Sequence, residues 1–204
     1  MADSAPRAAA FDQGYFDRYY EDPRTRVHGK KEVAALARGV TGMVRWLGGD
    51  LRAVLDVGAG AGLFRDWCKA HVRELETYVS VDVSTYACKT YGHIRRDIAR
   101  WRSRRSFDLV VCQGVLPYLD DAAAARAIEN LAAMCRGFLY LEAITRRDYR
   151  MVCDREKTDG TVHLRTGAWY RRALGAHFVS MGSGLHYIKS GPLQFYELEL
   201  PART

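Results

Sequence analysis

Residues Val54-Leu55-Asp56-Val57-Gly58-Ala59-Gly60-Ala61-Gly62 read as a hydrophobic strand that runs straight into a turn of small residues and opens a helix. Glycine in such a turn lets the backbone take conformations closed to other residues and lets a ligand come close to the main chain. A dinucleotide-binding fingerprint, G-x-G-x-x-G, would need glycine at position 63, where the chain has Leu63. The spacing here is D-x-G-x-G-x-G. An acid two places ahead of the first glycine would repel a pyrophosphate, but it accepts hydrogen bonds from a cationic or amino-bearing ligand. The turn therefore suits a nucleotide-like ligand that brings positive charge rather than phosphate.

Around this turn, short apolar runs alternate with helical patterns. Val33, Leu36, Ala37, Val40, Val44 and Leu47 recur at helical spacing between Lys30 and Leu47, and Gly48-Gly49 stops the run. The runs Ala53–Val57, Tyr78–Val83, Phe107–Cys112 and Gly137–Ile144 have the β-branched content of buried strands. Helices are predicted between them at Gly62–Glu74 and Asp120–Met134, and a third at Gly167–Leu174. This alternation predicts a doubly wound α/β fold with a mostly parallel sheet. Near the end of the chain, His177–Met181 and Phe195–Leu200 read as two strands with no helix between them, which should pair antiparallel.

Composition agrees with one domain spanning residues 1–204. The chain is 48 % hydrophobic and 27 % charged, which excludes a disordered or fibrous protein. It has no apolar run long enough for a membrane span and no signal-peptide core near Met1, so a soluble cytoplasmic protein without a membrane partner is expected. Cys68, Cys88, Cys112, Cys135 and Cys153 are odd in number and widely spaced, so neither a disulfide framework nor a metal site is expected. Net charge is +7, which leaves an anionic partner open beside a merely Arg-rich, solvated surface.

On the strength of the acid and its glycines, the sequence resembles the class I S-adenosylmethionine-dependent methyltransferases. The resemblance covers roughly residues 30–200, and it implies a Rossmann-like seven-stranded sheet with an antiparallel C-terminal strand. It implies S-adenosyl-L-methionine as cofactor and S-adenosyl-L-homocysteine as product. Asp56, Gly58, Ala59, Gly60 and Gly62 would then cradle the methionine end. Asp82, at the end of Tyr78–Asp82 and followed by Val83, would take the ribose hydroxyls, since a carboxylate can accept both at once. Asp97 and Ile98 would meet the adenine, although Asp97 also reads as an ion-pair partner of the arginines around it. Gln113 ends the fourth strand beside the expected methyl group. Residues 1–29 would form a lid, in which Tyr15, Tyr19 or Arg26 would meet the methionine carboxylate, or in which the aromatics simply pack.

Methyl transfer is an in-line displacement that chiefly needs alignment of the acceptor and exclusion of water. Where the acceptor must lose a proton, a base is needed. Glu142, after Phe138-Leu139-Tyr140-Leu141, is one candidate, and its other reading is a surface acid paired with Arg146 or Arg147. His163, in a polar insert at about residues 146–166, is the second candidate, with a solvated loop histidine as the alternative. His186, flanked by Gly184 and Tyr187, is a third. Gln113-Gly114-Val115-Leu116 lacks the [DNS]-P-P-[YF] signature of base-modifying relatives. A small-molecule acceptor is the expectation. The alternatives are an RNA substrate held by the Arg95–Arg105 loop, with Trp101 stacking on a base, and a cofactor-binding protein without transfer activity.

Overall fold

In a computed structural model, which describes residues 10–200, seven strands form one sheet in the order β3-β2-β1-β4-β5-β7-β6. The strands are β1 (Ala53–Val57), β2 (Thr77–Asp82), β3 (Ile94–Arg95), β4 (Phe107–Gln113), β5 (Cys135–Glu142), β6 (Phe178–Gly182) and β7 (Leu185–Ile188). The first five are parallel, whereas β7 runs antiparallel to both β5 and β6. This is the mostly parallel sheet with one reversed C-terminal strand that the sequence predicts.

Helices cover both faces: α1 (Gln13–Phe16), α2 (Lys30–Trp46), α3 (Leu63–His71), α4 (Thr85–Tyr91), α5 (Asp121–Met134), α6 (Arg146–Met151) and α7 (Gly167–Gly175). Alternate residues of a strand point to opposite faces, and the core divides accordingly. Val54, Leu109, Val111 and Phe138 pack with Val40 and Val44 of α2 and with Phe64 and Cys68 of α3. Leu55, Val110, Cys112 and Leu139 pack on the other face with Ile128 and Leu131 of α5. Side chains such as Leu55 and Leu139 are fully buried, each contributing about 1.5–3 kcal/mol over an exposed position. Among the described residues no helix is long and apolar enough to cross a membrane.

Three expected elements need correction. The final strand is Leu185–Ile188, not Phe195–Leu200. Gly182, Ser183 and Gly184 all take positive φ, 85°, 48° and 78°, and turn the chain back at once into a hairpin. Tyr196 and Leu198, on the expected strand, are instead exposed. Helix α3 stops at His71, since Val72 is extended and buried. His186 accordingly lies on β7, not in a loop.

Because β1 sends the chain first to β2 and later to β4 on its other side, a crevice opens at the carboxyl ends of these strands, where open α/β sheets bind ligands. Asp56 next to the end of β1, Asp82 ending β2, Gln113 ending β4 and Glu142 ending β5 all face this crevice.

Candidate functional site

The turn after β1 is built on left-handed glycines. Gly58 has φ +70°, and a Cβ there would stand 2.2 Å from the Val115 side chain. Gly60 has φ +56°, and a Cβ there would stand 2.7 Å from the Tyr20 hydroxyl. The amides of Gly58 and Ala59 donate to the Val81 carbonyl, at 2.9 and 3.2 Å, so the turn is strapped to β2.

Asp82 fastens the same turn from its side chain. One carboxylate oxygen accepts from the Gly60 amide at 3.0 Å and the other from the Ser84 amide at 2.8 Å. Each oxygen keeps a lone pair for a further donor. Burial raises its pKa, against the two backbone bonds that pull it down. Asp56 is also buried and accepts from the Tyr78 hydroxyl at 2.9 Å. Desolvation pushes its carboxyl up to about 7.

A cavity of about 890 Å³ gathers most of the residues chosen from the sequence. Asp56, Gly58, Ala59, Asp82 and Val83 line one part of it. Asp97 and Ile98 line it too, as do Gln113, Glu142 and Tyr19. Asp97 accepts from the Ala99 amide at 2.9 Å and sits 3.9 Å from the Arg100 guanidinium. Gln113 and Glu142 are register partners on β4 and β5, and the Gln113 amide donates to Glu142 Oε2 at 3.1 Å. Among the described residues Glu142 has no ion pair with Arg146 or Arg147.

Five sequence candidates stand apart from this lining. Gly60 is covered by Tyr20, and Gly62 is the residue from which α3 starts. Arg26 packs its guanidinium near Gly29. His163 is exposed, and the cavity wall takes its neighbour Val162 instead. His163 contributes its amide, which donates to the Pro117 carbonyl at 2.7 Å. His186 is also outside the lining, and burial lowers its pKa to about 4.

Residues 1–9 of the expected lid lie outside the described residues, and the segment from Phe11 to Tyr20 contributes to the cavity wall. Phe11, Tyr15, Phe16, Tyr19 and Tyr20 all line it, the last two from a π-helical turn, Asp17–Glu21. The Tyr15 and Tyr118 hydroxyls meet at 2.8 Å, and the Ser84 hydroxyl donates to the Phe11 carbonyl at 2.6 Å. Sequence reasoning picked Tyr15, Tyr19 and Arg26 here and passed over Tyr20, whose ring lies on the glycine turn. It also passed over His93, Arg165 and Tyr118. Their roles depend on partners far along the chain, and no local pattern marks them.

Arg165, only 4 % exposed, ties the insert to the segment after β4. It pairs with Asp121 at 2.8 Å and donates to the carbonyls of Leu116, at 3.0 Å, and of Leu119. In the Arg95–Arg105 loop, by contrast, Trp101 packs against the core with the Arg96 guanidinium 5.9 Å from its ring centroid. That indole is not a free platform for a base.

Residues 55–136 match the sequence model of the methyltransferase domain family. No curated protein matches the chain in sequence. In fold it is similar to magnesium protoporphyrin IX methyltransferase from Synechocystis PCC 6803 with bound SAM, at 18 % identity and a TM-score of 0.63 over 93 % of this chain and 98 % of that one. It is similar to an S-adenosylmethionine-dependent methyltransferase from Clostridium acetobutylicum ATCC 824, at 12 % identity and a TM-score of 0.61 over 93 % and 100 %. It is also similar to the N-methyltransferase NodS from Bradyrhizobium japonicum WM9 in complex with S-adenosyl-L-homocysteine, at 20 % identity and a TM-score of 0.55 over 91 % and 96 %. The magnesium protoporphyrin IX methyltransferase is also similar in its form with bound SAH, at 19 % identity and a TM-score of 0.58 over 91 % of this chain and 98 % of that one. Residues 55–136 thus match a methyltransferase domain, and the chain shares its fold with S-adenosylmethionine-dependent methyltransferases.

Proposed function

We propose that the chain methylates a small-molecule acceptor in the crevice at the carboxyl ends of β1, β2, β4 and β5. The observation that carries this reading is Asp82. Its two oxygens are oriented by the Gly60 and Ser84 amides while the carboxylate opens on the cavity. The residues fit S-adenosyl-L-methionine as cofactor: Asp82 has lone pairs for both ribose hydroxyls, and the acid Asp56 lines the same cavity as Gly58 and Ala59.

In this reading the turn Gly58–Gly62 and Asp56 hold the methionine end, Asp82 and Val83 the ribose, and Asp97 with Ile98 the adenine. Tyr19 and Tyr20 close the site from the lid. When bound, the cofactor supplies a methyl group made electrophilic by positive sulfur. Gln113 and Glu142 face the acceptor, which they orient. The aromatic lid excludes water, so the displacement competes with no hydrolysis. A cavity of about 890 Å³, walled on several sides by the chain itself, supports a small acceptor rather than a folded nucleic acid.

Calorimetric titration with S-adenosylhomocysteine, with nicotinamide dinucleotides as controls, tests the cofactor site. Micromolar binding of the first alone is expected. Asp82→Ala should weaken it by about 100-fold, roughly 2.7 kcal/mol, as expected when hydrogen bonds from two hydroxyls to a charged group are lost. Unchanged affinity would overturn the assignment.

A further inference from the structure

We infer that the acceptor is an amine, read by Glu142 and Gln113 as a pair, an inference that rests on the cofactor reading above. The two residues stand opposite each other at the ends of β4 and β5. A carboxylate cannot donate, so the 3.1 Å contact between them commits the Gln113 amide nitrogen to Glu142 Oε2. The Gln113 carbonyl oxygen and Glu142 Oε1 then receive no donor from the described residues, and both side chains line the cavity. Two acceptors at adjacent strand ends want a group that carries at least two N–H or O–H donors. A primary amine or ammonium supplies them, a hydroxyl supplies one, and a carboxylate supplies none and is repelled by Glu142.

The rings of Tyr15 and Tyr118 on the cavity wall argue the same way, since an aromatic face favours a cation over an anion. A nitrogen bound as ammonium first gives a proton to Glu142 Oε1. The lone pair this frees forms the new C–N bond while the C–S bond breaks with its electron pair left on sulfur, and the methylated product leaves as an ammonium. No further reactant is needed.

The test titrates the protein loaded with S-adenosylhomocysteine with benzylamine, benzyl alcohol and benzoate, which share one ring and differ in the head group. Benzylamine should bind at least tenfold tighter than the other two. Glu142→Gln should remove that preference while binding of S-adenosylhomocysteine stays unchanged, which also shows that the variant is folded. Benzoate or benzyl alcohol binding as tightly as the amine, no binding of benzylamine, or a preference untouched in Glu142→Gln overturns the inference and leaves the cofactor site standing. A wild-type chain that takes up no S-adenosylhomocysteine removes the cofactor reading, and this inference with it.

Discussion

The imidazole of His93 holds the carbonyl of Gly60, Nε2 to oxygen, at 2.9 Å, and so reaches across 33 residues to the middle of the glycine turn. A carbonyl only accepts, so Nε2 carries the proton. Nδ1 accepts from the Ser80 hydroxyl at 2.9 Å, with the Arg65 guanidinium 3.3 Å away. Burial lowers the pKa of this histidine, which matches a neutral ring with one donor and one acceptor. The turn that carries the cofactor reading is thus set by two buried side chains, Asp82 on an amide and His93 on a carbonyl.

His93→Ala should leave the Gly60 carbonyl without its donor and loosen the turn. The expected loss is about 1–3 kcal/mol, read as an about 5- to 150-fold weaker affinity for S-adenosylhomocysteine by calorimetry. His93→Gln, which can still donate to the carbonyl, should recover part of it. Equal affinity in all three proteins would show that the turn does not depend on this bond.

Asp56 predicts a pH dependence of cofactor binding. Its carboxyl is raised to about 7 by desolvation, so below that pH the ligand-free protein keeps it protonated. An ammonium group favours the carboxylate, so binding should release most of one proton at pH 6. Affinity should rise up to about tenfold per pH unit towards pH 7 and level off above it. The sign for stability is opposite. A carboxyl raised on folding binds more protons folded than unfolded, so Asp56 lowers the stability of the ligand-free protein as pH climbs from about 4 to 7. Titrations with S-adenosylhomocysteine at pH 6 in two buffers of different ionisation enthalpy measure the proton release, and Asp56→Asn should abolish it.

The glycine turn, the order of strands and helices, and the acids at the ends of β1 and β2 were legible in the sequence because each is local. Nine consecutive residues state a strand, a backbone demand and a charge. Tyr20, His93 and Arg165 were not legible in the same way. Tyr20 matters because its ring lands on Gly60, and His93 because Ser80 and Gly60 flank it, and these contacts exist only after the sheet has formed. The last strand was misread for a local reason. Gly182-Ser183-Gly184 looks like loose loop, yet it is a tight hairpin turn, and His186-Tyr187-Ile188 beyond it pairs with β5 and β6.

Gly58→Ala combines two penalties. Backbone at φ +70° costs a non-glycine residue about 1–2 kcal/mol, and the new methyl group meets Val115. Affinity for S-adenosylhomocysteine should fall at least tenfold. Adding Val115→Ala removes the collision but not the backbone strain, so the double variant should recover only part of the loss. Full recovery would mean that the turn tolerates alanine, and that Gly58 is needed for space alone.

Arg165 holds the segment after β4 without itself lining the cavity. Its guanidinium supplies donors to the Leu116 and Leu119 carbonyls, with the Trp169 ring centroid 4.8 Å away. Its partner Asp121 has a side chain that is 75 % exposed, so the ion pair itself is worth at most about 1 kcal/mol. Asp121→Ala should therefore be mild. The Leu116 carbonyl also accepts from the Leu119 amide, at 3.1 Å, so Arg165→Met leaves only the Leu119 carbonyl without its donor and should cost about 2 kcal/mol, or about 4–8 °C in Tm by calorimetry. Pro117 and Tyr118, which lie between those carbonyls, line the cavity. Below the melting transition Arg165→Met should raise KM for the acceptor while leaving affinity for S-adenosylhomocysteine intact. Parallel losses in both would place Arg165 in the support of the whole crevice instead of its acceptor wall.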